Sequence, residues 1–117
     1  MVKLVALYRL PADPEAFEHR FAETHLRLMP RLPGLHHAEL ARVVRSPPVP
    51  GASPGRDALG LPAGLGGDRA YYRTAELHFE NAERLGLALR SPEGEKFIAS
   101  LAGLADGVII LCCQMET

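Results

Sequence analysis

GVIILCCQM, residues 107–115, is the last apolar run of the chain, and its reading decides the fold. A strand sends successive side chains to opposite sides, so Val108, Ile110 and Cys112 fall on one side and Ile109, Leu111 and Cys113 on the other. Both sides are apolar. The opening stretch VKLVALYRL, residues 2–10, behaves the same way, with Leu4 and Ala6 set against Val5 and Leu7, and Pro11 closes it. Two such strands need cover on both faces.

The elements between them follow from local signals. Asp13-Pro14 is a helix start, because the Asp side chain accepts from free N–H groups and Pro supplies a preset first turn. The predicted helix runs from Pro14 to Met29, where Pro30 removes an N–H and ends it. Pro33-Gly34 makes a turn, and LHHAELARVVR, residues 35–45, reads as a strand. Residues 46–70 hold five prolines and six glycines without periodicity, which predicts one long loop. YYRTAELHF, residues 71–79, alternates as a strand, and Asn81 caps a helix through Arg90. Ser91-Pro92 starts another helix, expected to carry Phe97, Ile98, Leu101 and Leu104 inward.

Two successive right-handed βαβ units give a four-stranded antiparallel sheet with both crossovers on one face. The expected fold is therefore α+β, a ferredoxin-like βαββαβ sandwich occupying residues 1–117 as one domain. Its bare apolar face must be covered, since burial yields about 25 cal/mol per Å² of apolar surface. A second copy is the simplest cover, and a homodimer packed sheet against sheet follows.

Composition narrows the function classes. A formal charge of −1 with interspersed acids and bases lacks the footprint of a nucleic-acid binder. No apolar run approaches the roughly 20 residues that cross a bilayer, so no membrane partner is expected and the cytoplasm is the expected compartment. Cys112 and Cys113 are the only cysteines, and as strand neighbours they are expected to remain reduced.

Polar chemistry centres on FAETHLRLMPRLPGL, residues 21–35. Phe17, Phe21, His25 and Leu28 share one helical stripe, so an imidazole stands where an apolar side chain is expected. Burial would favour its neutral form and equip it as a general acid or base. The competing reading is a core histidine with both nitrogens tied inside the protein. Tyr8 and Tyr72 are candidate donors to a ligand or to His25, and Arg73, beside the long loop, is a candidate to hold a carboxylate. His37 and Glu76 would orient each other if strand pairing brings them to one pocket. His36 and His37 are expected on opposite faces, and no His-x-His or His-x-x-x-His spacing occurs, so no metal site is expected.

The order of LYRLP, PEAFEHRFAETH, LPGL, AELHFENAE and LRSPEG resembles the EthD-like proteins of the dimeric α+β barrel superfamily, over residues 2–45 and 71–111. The resemblance implies a barrel of two sheets across a dimer, with a pocket between sheet and helices in each protomer. It further implies a small organic ligand, aromatic, lactone or ether-derived, handled without a cofactor. His25 matches the recurrent helix histidine of that family. Two functions remain open at this stage: cofactor-free acid–base or oxidative chemistry through His25, or a non-catalytic ligand-binding or accessory role in which His25 is structural.

Overall fold

The computed structural model describes residues 1–43, 71–104 and 107–116. The segment expected to form the long loop, residues 46–70, lies outside the described residues. The strands are β1 (Val2–Arg9), β2 (Leu35–Arg42), β3 (Tyr71–Phe79) and β4 (Val108–Gln114). They form one sheet in the order β2-β3-β1-β4, with every neighbouring pair antiparallel. With helices packed on one face, this is the expected α+β ferredoxin-like fold.

The three cap signals are all realised. Asp13 Oδ1 accepts from Ala16 N–H at 3.1 Å and opens α1 (Pro14–Arg20). Asn81 Oδ1 accepts from Arg84 N–H at 2.9 Å and opens α3 (Ala82–Arg90). Ser91 Oγ accepts from Gly94 N–H at 3.0 Å and opens α4 (Pro92–Ala102). Gly34 has φ 79° in the turn before β2, a conformation that costs little only without a Cβ.

The first helix does not run as expected. After α1 the chain takes a π-helical turn over Phe21–His25, a short α2 (Leu26–Leu28) and a 3-10 turn over Met29–Arg31, so Pro30 tightens the helix end rather than stopping it at Met29. The π turn has a packing consequence. Side chains four apart drift around an α-helix of about 3.6 residues per turn, and the wider turn cancels that drift. Phe17, Phe21, His25 and Met29 therefore all stay buried, and Met29 takes the place expected for Leu28.

The helices cover Val2, Leu4, Ala6 and Tyr8 of β1 with Ala75, Leu77 and Phe79 of β3, and Phe97 and Leu104 complete the same core. Ile98, expected inside, is 48% exposed. The opposite face divides along the strand order. Its β1–β4 half carries Val5, Leu7, Ile109 and Leu111, as the alternation requires. Its β2–β3 half is polar, with His37, Glu39, Glu76 and His78.

Two bulges break the alternation. The register slips between Tyr8 and Arg9, opposite Tyr72, which lets Tyr72 and Arg73 both reach the helix side. A second slip between Leu35 and His37 leaves His36 unpaired, and its Nδ1 lies 2.9 Å from Nδ1 of His37. The expected opposition of the two rings is thereby lost.

α4 begins hard against the end of α3. A Cβ at Gly94 would sit 2.0 Å from the carbonyl oxygen of Ala88 and 2.6 Å from that of Leu89. Gly94→Ala is expected to lower stability by about 3 kcal/mol in urea unfolding, whereas Gly103→Ala, whose nearest neighbour would lie 3.8 Å away, is expected to change it little. Equal midpoints for the two variants would contradict this packing.

Candidate functional site

His25 ends the π turn and points into the core with 0% exposure. Its ring stacks on Phe97 at a centroid distance of 4.5 Å and also meets Phe21 and Tyr8. Both nitrogens are engaged: Nε2 lies 2.5 Å from Tyr8 Oη and Nδ1 lies 2.6 Å from Ser100 Oγ. Ser100 Oγ–H in turn donates to the Phe97 carbonyl at 2.6 Å. One proton arrangement satisfies every member. Tyr8 donates to Nε2, Nδ1–H donates to Ser100, and Ser100 donates to the helix carbonyl.

Burial fixes the charge state of the two rings. Burial pulls the His25 imidazole down to about 4, and burial also pushes the Tyr8 phenol up. At neutral pH both are uncharged, and the ring is a neutral link between β1 and α4.

Beyond Ser100 lies an open cleft of about 630 Å³ between the Glu23–Arg31 stretch and α4. Arg27, Arg31 and Lys96 line it with Leu28, Ala99 and Ser100. Glu23, also in the lining, pairs with Arg27 at 3.3 Å, so the cleft keeps a cationic excess. Between α1 and the sheet, where the family resemblance implied a pocket, the rings of Tyr8, Phe17, Phe21, His25 and Phe97 fill the space.

The remaining expected site residues separate into two groups. Tyr72 and Arg73 stand on the helix side but converge on Glu18: Tyr72 Oη–H donates to Oε1 at 2.8 Å, and Arg73 makes a two-pronged contact at 3.1 and 2.8 Å. Arg73 thus holds a carboxylate as expected of it, and that carboxylate is the protein's own. The Arg73 guanidinium chiefly, with help from Tyr72, keeps Glu18 below the usual carboxylate range. Arg73 also lies over the Phe21 ring at 4.7 Å.

His37 and Glu76 are on the other face of the sheet and do not pair. Glu76 accepts from Lys3 Nζ at 2.6 Å, while His37 stacks on His78 at 4.0 Å. The six expected residues therefore cannot line one pocket, because the sheet lies between Tyr8, His25, Tyr72 and Arg73 on one side and His37 and Glu76 on the other. Sequence reasoning missed Glu18 and Ser100. The only trace of Ser100 was its place three residues after Phe97 on a helix whose opposite side faces out.

The acid stability of the fold reports on His25. Its native value lies below the unfolded value of about 6.5, so the unfolded chain binds the extra proton between the two. The contribution is complete above about pH 6.5 and fades as the pH falls toward 4. Urea unfolding should lose about 2 kcal/mol between pH 6.5 and 5, where carboxylates still contribute little, and His25→Gln should flatten that window. A wild-type profile already flat there would contradict the buried neutral ring.

Comparison with known proteins places this architecture. The EthD domain family matches residues 9–106. An uncharacterised 11.0 kDa protein from the thcB-thcC intergenic region of Rhodococcus erythropolis is 29% identical over 119 residues, covering 100% of this chain and 97% of its own. The crystal structure of an EthD-family protein from Bacillus halodurans superposes with a TM-score of 0.75 at 26% identity, covering 99% of both chains. Two more distant structures share the fold alone. The cofactor-independent oxygenase SnoaB of Streptomyces nogalater has a TM-score of 0.60 at 16% identity over 99% of this chain and 93% of its own. A hydroxynitrile lyase from Passiflora edulis has a TM-score of 0.68 at 12% identity over 98% and 93%. His25, its partner Ser100 and the caps Asp13, Asn81 and Ser91 lie within the matched span, with Tyr8 just before it, and the chain belongs to the EthD family.

Proposed function

We propose that this EthD-family protein is a homodimeric binder of a small organic molecule, in which His25 is a structural tie rather than the group that meets the ligand. One observation carries the reading: both ring nitrogens of a fully buried His25 are already used, and the one proton arrangement that satisfies every member runs from Tyr8 to the Phe97 carbonyl. For Nδ1 to accept a proton from Ser100, the ring would have to change tautomer and leave the Tyr8 hydroxyl hydrogen without its partner.

The ligand enters the cleft beside Ser100. Arg27, Arg31 and Lys96 favour an acidic group, and Leu28 and Ala99 offer apolar contact to its body. The apolar half of the open sheet face, with Leu111 47% exposed, supports a second copy as its cover. Other proteins of this fold are described as dimeric, one from Bacteroides fragilis and one from Thermobifida fusca. Free Cys112 and Cys113 support a reducing, cytoplasmic setting.

Ser100 gives the catalytic reading its foothold, because it touches both the cleft and His25. In that reading a substrate proton passes to His25 through the Ser100 hydroxyl, without a cofactor. The sequential donors along the chain favour binding over turnover.

Native mass spectrometry of freshly purified protein should show a dimer, and a panel of aromatic carboxylates, phenols and lactones should bind without being converted. Arg27→Ala combined with Lys96→Ala should weaken binding of the acidic members, while His25→Gln should lower stability and leave affinity nearly unchanged once folded. Conversion of any member that is lost in a folded His25→Gln variant would establish the catalytic reading instead.

A further inference from the structure

The polar half of the open sheet face holds a group of side chains away from the cleft beside Ser100. β2 and β3 pair His37 with His78 and Glu39 with Glu76. Alternation along β2 puts His37 and Glu39 on the same side, so the register gathers two imidazoles and a carboxylate. Ligand atoms of His37, Glu39 and His78 all lie within 4.8 Å of one another, and His37 Nε2 is 3.6 Å from Glu39 Oε1. Glu76 is not counted with them, because Lys3 occupies it.

His78 points to a ligand by itself. It is only 5% exposed, and among the described residues neither of its ring nitrogens has a hydrogen-bond partner. A buried polar ring without a partner is costly, and native structures almost always supply one. The Lys3–Glu76 pair beside it leaves the ring unpartnered. His37 stacks flat against it at 15° rather than bonding to it.

We propose that His37, Glu39 and His78 form a binding site for a single divalent transition-metal ion of the zinc class on the open face of the sheet. Two imidazoles and one carboxylate are the donor set that such ions prefer, whereas magnesium and calcium select oxygen-only sites. Ligands of one tetrahedral ion about 2.1 Å away lie about 3.4 Å from each other, so the gathered atoms need to close by up to about 1.4 Å. The supports allow it. His78 is fixed by burial, while the side chains of His37 and Glu39, 44% and 61% exposed, have room to turn toward it once His37 gives up its stack on His78 and its contact with His36. Three protein ligands leave a fourth position for water, the arrangement of an open site rather than a closed structural one.

The proposal depends on the register within one chain and is independent of the cleft beside Ser100. Tag-free protein, stripped with chelator, is titrated with zinc chloride by calorimetry, and cobalt(II) is used as the absorbing probe. Wild type should take up one ion per chain with the visible absorption of a tetrahedral or five-coordinate cobalt centre. Glu39→Gln and His37→Gln should each weaken uptake by at least about tenfold, and His78→Ala should abolish it. If His78→Ala does not fold, the two exposed variants decide, with circular dichroism confirming their fold. His36→Gln should bind as wild type does. No zinc uptake by wild type, unchanged affinity in both exposed variants, or loss in His36→Gln alone would overturn the site.

Discussion

The structure depends on one buried polar ring. His25 is tied through Nε2 to β1 and through Nδ1 to α4, so three segments distant in sequence are joined at a point where apolar packing alone would leave an interchangeable contact. A hydrogen bond of this kind contributes about 1 kcal/mol net when made, but leaving its donor or acceptor buried and unpaired costs up to about 3 kcal/mol. That asymmetry gives the link its force. Any rearrangement that slides α4 along the sheet, or turns the helix through one residue, leaves Tyr8, His25 or Ser100 unsatisfied. The π turn serves the same end, because it keeps His25 aligned with Phe17, Phe21 and Met29.

The sheet then acts as a partition. Its helix side is a closed aromatic and aliphatic core with a carboxylate–guanidinium clamp at the rim, where Glu18 draws in Tyr72, Arg73 and Arg42. Its open side is aliphatic along β1 and β4 and polar along β2 and β3. A chain of this size thereby presents three chemically distinct surfaces: a cationic cleft by Ser100, an apolar half-face and a histidine–carboxylate cluster. The two on the open face arise from the same alternation of side chains along the strands, and the cleft lies between the Glu23–Arg31 stretch and α4.

Much of this was legible from residues close together in the chain. Asp13, Asn81 and Ser91 cap helices through atoms three residues away, and Gly34 takes its positive φ within a two-residue turn, so their signals survive without tertiary knowledge. The two-faced character of β1 and β4 is equally local. What escaped the sequence lies in register and packing. The bulges at His36 and Tyr72 reverse the simple alternation, so His36 and His37 come together and Tyr72 joins Arg73 on the helix side. The His37–His78 pairing spans 41 residues of chain and leaves no spacing motif. His25 stood out because it broke an apolar stripe, yet its partner Ser100 sits among ordinary helix residues and gave no comparable sign. Ile98, apolar but turned outward, shows the converse.

The protonation of His25 tests the account most directly. Nitrogen-15 NMR of the imidazole should show a neutral ring with its proton on Nδ1 and a bare Nε2 at pH 7, titrating at about 4. A ring that titrates near 6.5, or carries its proton on Nε2 facing an unprotonated Nδ1, would contradict the tie and return His25 to the role of an available base.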